Sequence, residues 1–173
     1  MPTRLNFAKL DLMDALDLAA LIESEAHERY ASFAARLGRR SAGDAASVFA
    51  SMAENEAKHG RQLLARRKTR FGDAPSRVSR DDLYDVEAPD VGSARSNMST
   101  RRAYEVALEA EQKAHDFYEL ALVQVVDPSI RKLFAELRDE ETEHVRMVRQ
   151  ALAGLPPSAD EEWEEDEDDL PSL

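Results

Sequence analysis

The chain has 173 residues, no cysteine, and 35 acidic against 23 basic side chains, a formal net charge of −12. That length fits one domain with a sizeable core. The lack of cysteine excludes structural disulfides, thiolate zinc sites, cysteine-held iron centres and cysteine nucleophiles. The charge is unevenly placed: residues 156–173 carry nine Asp/Glu and no Lys, Arg or His, which leaves the remainder at only −3. The body therefore lacks the basic excess that a phosphate backbone requires, and nucleic acid is not an expected partner. No apolar stretch approaches the roughly 18 residues that span a bilayer, and the N-terminus has no uninterrupted apolar run of the signal-peptide kind. The expectation is a soluble, cytoplasmic protein with no membrane partner.

Composition favours helix, with six glycines and seven prolines, several at places where helices would end. The first predicted helix covers about 14–38: Leu16, Ala20, Glu23, Ala26, Tyr30, Ala34 and Leu37 recur at steps of three and four, and Gly38 offers a stop. A capping signal at Ser41 and Asp44 opens the second, about 42–67, on the stripe Val48, Met52, Glu56, His59 and Leu63. The short loop between them predicts an antiparallel hairpin. Residues 68–98 break the pattern with Gly72, Pro75, Pro89 and Gly92, which predicts a long crossover with one helical turn near 81–85.

A third helix fits about 100–126, with Tyr104, Ala107, Glu111, Ala114, Tyr118, Ala121 and Val125 on one face. Asp127 and Pro128 suit the N-cap and first position of a fourth, about 128–153, whose stripe is Ile130, Phe134, Leu137, Glu141, His144, Val148 and Ala151. Two hairpins joined by one long connection predict an all-α, antiparallel four-helix bundle over residues 1–155, followed by an acidic, disordered tail over 156–173. The crossover is long enough to run the length of the bundle or to let hairpins exchange between the protomers of a homodimer.

The two hairpins repeat one another. Glu, Ala, His and Tyr fall at the same offsets in Glu23, Ala26, His27, Tyr30 and in Glu111, Ala114, His115, Tyr118. Glu56 and His59 match Glu141 and His144, each pair preceded by Phe49 or Phe134 seven residues before the Glu. All four glutamates lie in the middle of otherwise apolar stripes, where a polar residue needs a function. Four carboxylates desolvated together would repel one another and resist ionisation, so a positive species must sit among them. Two divalent cations cancel four carboxylates, and Glu-x-x-His on one helix face presents both ligands to one metal, with two neutral imidazoles completing the shell. Carboxylate and imidazole without thiolate suit iron or manganese, with zinc able to occupy the same donors after purification.

With these motifs, residues 10–153 resemble the rubrerythrin branch of the ferritin-like superfamily. The resemblance rests on Glu23 to Tyr30, Glu56 to His59, Glu111 to Tyr118 and Glu141 to His144. It implies that Glu56 and Glu141 bridge two irons, that Glu23 with His59 and Glu111 with His144 are terminal ligands, and that Tyr30 and Tyr118 donate hydrogen bonds to the carboxylates. Two departures stand out. Two-domain rubrerythrins carry a cysteine-ligated rubredoxin module where this sequence has its acidic tail, so an external electron donor is expected. The same relatives place a further Glu three residues after the third-helix ligand, where this sequence has Ala114, and that makes the site more symmetric and more like bacterioferritin.

Other polar residues have plainer readings. His27 and His115 lean toward the ligand face, but a histidine there more often orients a neighbour than binds metal. The basic run Arg61, Arg66, Arg67, Lys68 and Arg70 complements a helix C-terminus. The functional expectation is a di-iron oxidoreductase that reduces hydrogen peroxide or dioxygen. The alternatives are a ferroxidase or iron-handling ferritin relative, and a non-catalytic bundle that binds a partner.

Overall fold

A computed structural model describes residues 6–37, 44–82, 86, 88–90, 92–93, 95 and 97–161. Four long helices make the structure: α1 (Leu12–Leu37), α2 (Ala45–Phe71), α3 (Thr100–Gln124) and α4 (Pro128–Ala153), with short 3-10 turns at Phe7–Lys9, Arg80–Asp82 and Pro157–Asp160. Among the described residues there are no strands, and no helix is long and apolar enough to cross a membrane.

Local chemistry explains where the helices begin. Asp11 and Asp14 cap one another at the start of α1, the Asp14 amide donating to Asp11 Oδ1 at 2.9 Å and the Asp11 amide to Asp14 Oδ2 at 3.5 Å. This reciprocal cap starts the helix at Leu12 rather than near residue 14. Asp44 is the N-cap of α2, its carboxylate accepting from the Ser47 amide at 2.8 Å, so the helix opens at Ala45 rather than at 42. Ser41 and the Gly38 stop lie outside the described residues. Asp127 caps α4 with Pro128 in its first turn, as predicted.

The second helix runs four residues past its predicted end at Arg67. Its stripe loses its apolar character there because Arg67 is itself buried. The Arg67 guanidinium donates to Asp17 at 2.8 and 3.3 Å, to the Gly72 carbonyl at 2.9 Å and to the Ala74 carbonyl. It therefore ties the end of α2 to the start of α1 and fixes where the chain departs, with Gly72 at φ +60° making the turn. The third helix ends at Gln124, two residues short of its predicted limit, where Val125 takes up extended backbone. The turn expected near 81–85 is the shorter one at Arg80–Asp82, and residues 83–85 lie outside the described residues.

The helices of each hairpin are antiparallel: Asp17 meets Arg67, Glu119 meets Arg138 at 3.2 Å, and Gln112 meets Arg149 at 3.3 Å. Across the hairpins, α2 meets α4 through His59 with His144 and Arg66 with Glu136, while α1 meets α3 through Tyr30 and Glu111. The bundle is ferritin-like.

Two apolar clusters fill it. One holds Leu16, Leu18, Ile22, Leu63, Tyr118, Ile130 and Phe134, roofed by Phe7 edge-on to Phe117 and Phe134. The other holds Tyr30, Phe33, Phe49, Met52, Val106 and Val148. The predicted polar residues lie between these two halves.

The crossover runs along α1 and reaches α3. Arg77 pairs with Asp11 and Asp14 at the start of α1, and Arg80 with Glu28 further along it. The Pro89 carbonyl accepts from Arg29 at 2.6 Å and the Ala88 carbonyl from Lys113 at 3.0 Å. Val86 and Ala88, which belong to this strap, are buried, and the strap lies over the α1–α3 side of the bundle.

Candidate metal centre

Helical periodicity delivers one carboxylate from the middle of each helix: Glu23, Glu56, Glu111 and Glu141, each no more than 1% exposed. Small neighbours allow this convergence, since Ala19, Ala26, Ala107, Ala110 and Ala114 are all essentially buried on the turns flanking Glu23 and Glu111.

The donors fall into two groups whose ligand atoms lie within 4.8 Å of one another: Glu23, Glu56 and His59, and Glu56, Glu111 and His144. Glu56 belongs to both. His59 Nδ1 stands 3.7 Å from Glu23 Oε2 and 3.9 Å from Glu56 Oε2. His144 Nδ1 donates to Glu111 Oε2 at 3.0 Å and approaches Glu141 Oε2 at 3.2 Å, which attaches Glu141 to the second group. The two imidazoles stack with centroids 4.9 Å apart and planes 5° from parallel. All six residues predicted as ligands are thus in one place.

The electrostatics of the two groups differ. Two carboxylates ~4 Å apart repel by about 4 kcal/mol at an effective dielectric near 20, so the cluster needs compensation. Burial pushes Glu141 up to about 7, opposed by its bond to His144. For His144, burial alone would lower the pKa, but hydrogen bonds to Glu111 and Glu141 and their charges outweigh it and push it up to about 11. Burial, and then the neighbouring His144 cation, push His59 down to about 4. A proton on His144 balances the Glu111–Glu141 half, while the Glu23–Glu56 half faces a neutral imidazole. Four buried carboxylates and two imidazoles, with no thiolate, form a donor set that fits divalent metal.

The tyrosines expected near the carboxylates are both fully buried. Tyr30 donates to Glu111 Oε1 at 3.4 Å, so the tyrosine of one repeat reaches the glutamate of the other. Tyr118 packs against Phe117 and Phe134. Neither extra histidine joins the donor groups among the described residues. His27 donates from Nδ1 to the Ala53 carbonyl at 2.9 Å, bridging α1 to α2, and His115 pairs with Asp116 at 3.1 Å near the surface. The basic run is also spoken for in part: Arg67 is buried against Asp17, and Arg66 pairs with Glu136 at 2.9 Å.

A cavity of about 90 Å³ adjoins the centre between α2 and α4, lined by His59, Gln62, Arg66, Glu136 and Glu140 over Leu63, Leu133 and Leu137. Glu140 stands exposed at its rim, and the desolvation it does undergo raises its pKa. The helical stripes did not reveal this cavity, because its polar residues lie on the flanks of α2 and α4 rather than on their core faces.

The rubrerythrin family model matches residues 14–152. Among solved structures, a conserved protein of uncharacterised function from Magnetospirillum magnetotacticum MS-1 shares the fold, with a TM-score of 0.66 and 24% identity over 85% of this chain and 97% of that one. A search of curated proteins finds no match. The family match spans all four helices and every donor of the centre, and the chain belongs to the rubrerythrin family.

Proposed function

We propose that this chain is a di-iron carboxylate oxidoreductase of rubrerythrin type, which reduces hydrogen peroxide or dioxygen with electrons from a donor outside these 173 residues. The observation that carries the reading is the position of Glu56, whose carboxylate belongs to both donor groups, as a bridge between two metals must. Glu56 and Glu141 are assigned as bridges, Glu23 with His59 and Glu111 with His144 as the terminal donors. Two ferrous ions held there would supply the two electrons that, with two protons, convert peroxide to two water molecules.

The chain's own residues hold and move charge around that chemistry. His144 must surrender its proton to become a ligand, and because Glu111 and Glu141, which accept its hydrogen bonds, must themselves be ionised to hold metal, that proton leaves to solvent. Tyr30 fixes the orientation of Glu111 through its hydroxyl. The apolar clusters above and below keep bulk water from the donors. The test is anaerobic titration of the Fe(II)-loaded protein with peroxide. Oxidation of two Fe(II) per peroxide, followed by re-reduction and further turnover, supports the reading.

A second reading, as a ferroxidase or iron-handling protein, draws on Ala114. Its fully buried methyl group stands where peroxide-reducing relatives are expected to place another carboxylate. Accumulation of ferric mineral with dioxygen as the faster oxidant would favour this reading over peroxide reduction.

A further inference from the structure

We infer that the groove between α2 and α4 is the route by which divalent cations reach the centre, with Glu136 and Glu140 as the carboxylates that receive the ion. This rests on the metal-centre reading above and adds a path to it.

Three observations converge. First, among the described residues, packed structure flanks the centre on its other sides. The crossover covers the α1–α3 side, fastened by Arg29 to the Pro89 carbonyl and by Lys113 to the Ala88 carbonyl, and apolar clusters close the two ends. Second, the four glutamates are at most 1% exposed, whereas the His59 side chain is 16% exposed. The His144 side chain is 10% exposed, so solvent touches the centre most through His59, which lines the cavity between α2 and α4. Third, the cavity's donors suit a cation. A volume of about 90 Å³ holds several waters. Two carboxylates, the Gln62 amide and the His59 ring can replace a metal ion's water shell stepwise before Glu23 and Glu56 take it.

Arg66 supplies a bar across the mouth. It bonds Glu136 at 2.9 Å from the opposite helix, and both side chains are about two-fifths exposed (39% and 42%). A pair so exposed holds weakly and releases Glu136 easily. A neutral oxidant would draw nothing from these charges, which is why the observations favour a cation.

Stopped-flow binding of Co(II) to the metal-free full chain tests this, with circular dichroism as a check on folding and equilibrium stoichiometry measured in parallel. The double variant Glu136→Gln/Glu140→Gln should load about tenfold more slowly while still reaching two Co(II) per chain, as loss of a focusing negative field predicts. Gln62→Trp, which fills the mouth, should also load slowly, and Arg66→Met should load faster than the parent. The inference is overturned if the double variant and Gln62→Trp load at the parent rate, or if Lys113→Met, which frees the crossover, accelerates loading more than Arg66→Met. A parent chain that binds fewer than two Co(II) would instead count against the metal-centre reading itself.

Discussion

His59 and His144 lie ring on ring, 4.9 Å apart and nearly parallel, yet burial and their neighbours drive them to opposite protonation states, with pKa values of about 4 and about 11. A single proton thus distinguishes two halves that the sequence repeat makes equivalent. It sits on the half where His144 touches both Glu111 and Glu141.

Metal loading should therefore release protons. With His144 raised to about 11, its imidazole is charged in the metal-free protein at pH 7 and must lose that proton to bind metal. Affinity should fall as pH falls, because each proton competes with the ion. Calorimetry in buffers of different ionisation enthalpy should show at least one proton released per chain at pH 7, and buffer-independent heats would contradict the assignment.

Removing a shared ligand should cost more metal than removing an unshared one. Glu56→Ala should abolish binding of both ions, whereas Glu23→Ala should leave the Glu111–Glu141–His144 group able to hold one. Elemental analysis after gel filtration distinguishes these outcomes. Two equivalents retained by Glu56→Ala would refute the bridging role.

The donor cluster should also weaken the metal-free fold. Glu56→Gln takes one carboxylate out of a buried, repelling set at nearly constant shape, and should stabilise the metal-free chain by about 1–2 kcal/mol while destroying metal affinity. Urea unfolding in chelator reads the first effect, and Co(II) titration the second.

The Asp17–Arg67 pair should behave differently, because both partners are buried and Arg67 also satisfies two backbone carbonyls. Asp17→Asn strands a buried cation and should cost about 3–5 kcal/mol. The double variant Asp17→Leu/Arg67→Met should recover part of that loss in urea unfolding, limited by the carbonyls of Gly72 and Ala74.

The centre was legible in the sequence because a helix converts spacing into a face. Polar residues at apolar stripe positions, repeated in both hairpins, marked Glu23, Glu56, His59, Glu111, Glu141 and His144 before any coordinate. The same rule misled at Arg67, where a charge on the stripe ended the predicted helix although the helix continues to Phe71 around a buried ion pair. It was neutral at His27, which shares the ligand face but spends its Nδ1 proton on the Ala53 carbonyl. The strap was not legible, since Pro89 and Ala88 are held through backbone carbonyls, which leave no side-chain pattern. Nor was the α2–α4 groove, since Glu136 and Glu140 fall off the core stripe of α4 and Arg66 belongs to the run assigned to a helix C-terminus, and only two helices set side by side bring them together.

The most direct measurement is a crystal structure of the iron-loaded protein with anomalous differences recorded at the iron edge. Two peaks are predicted, one held by Glu23 and His59 and one by Glu111 and His144, with Glu56 and Glu141 touching both. A single peak, or iron bound only away from these six residues, would contradict the account.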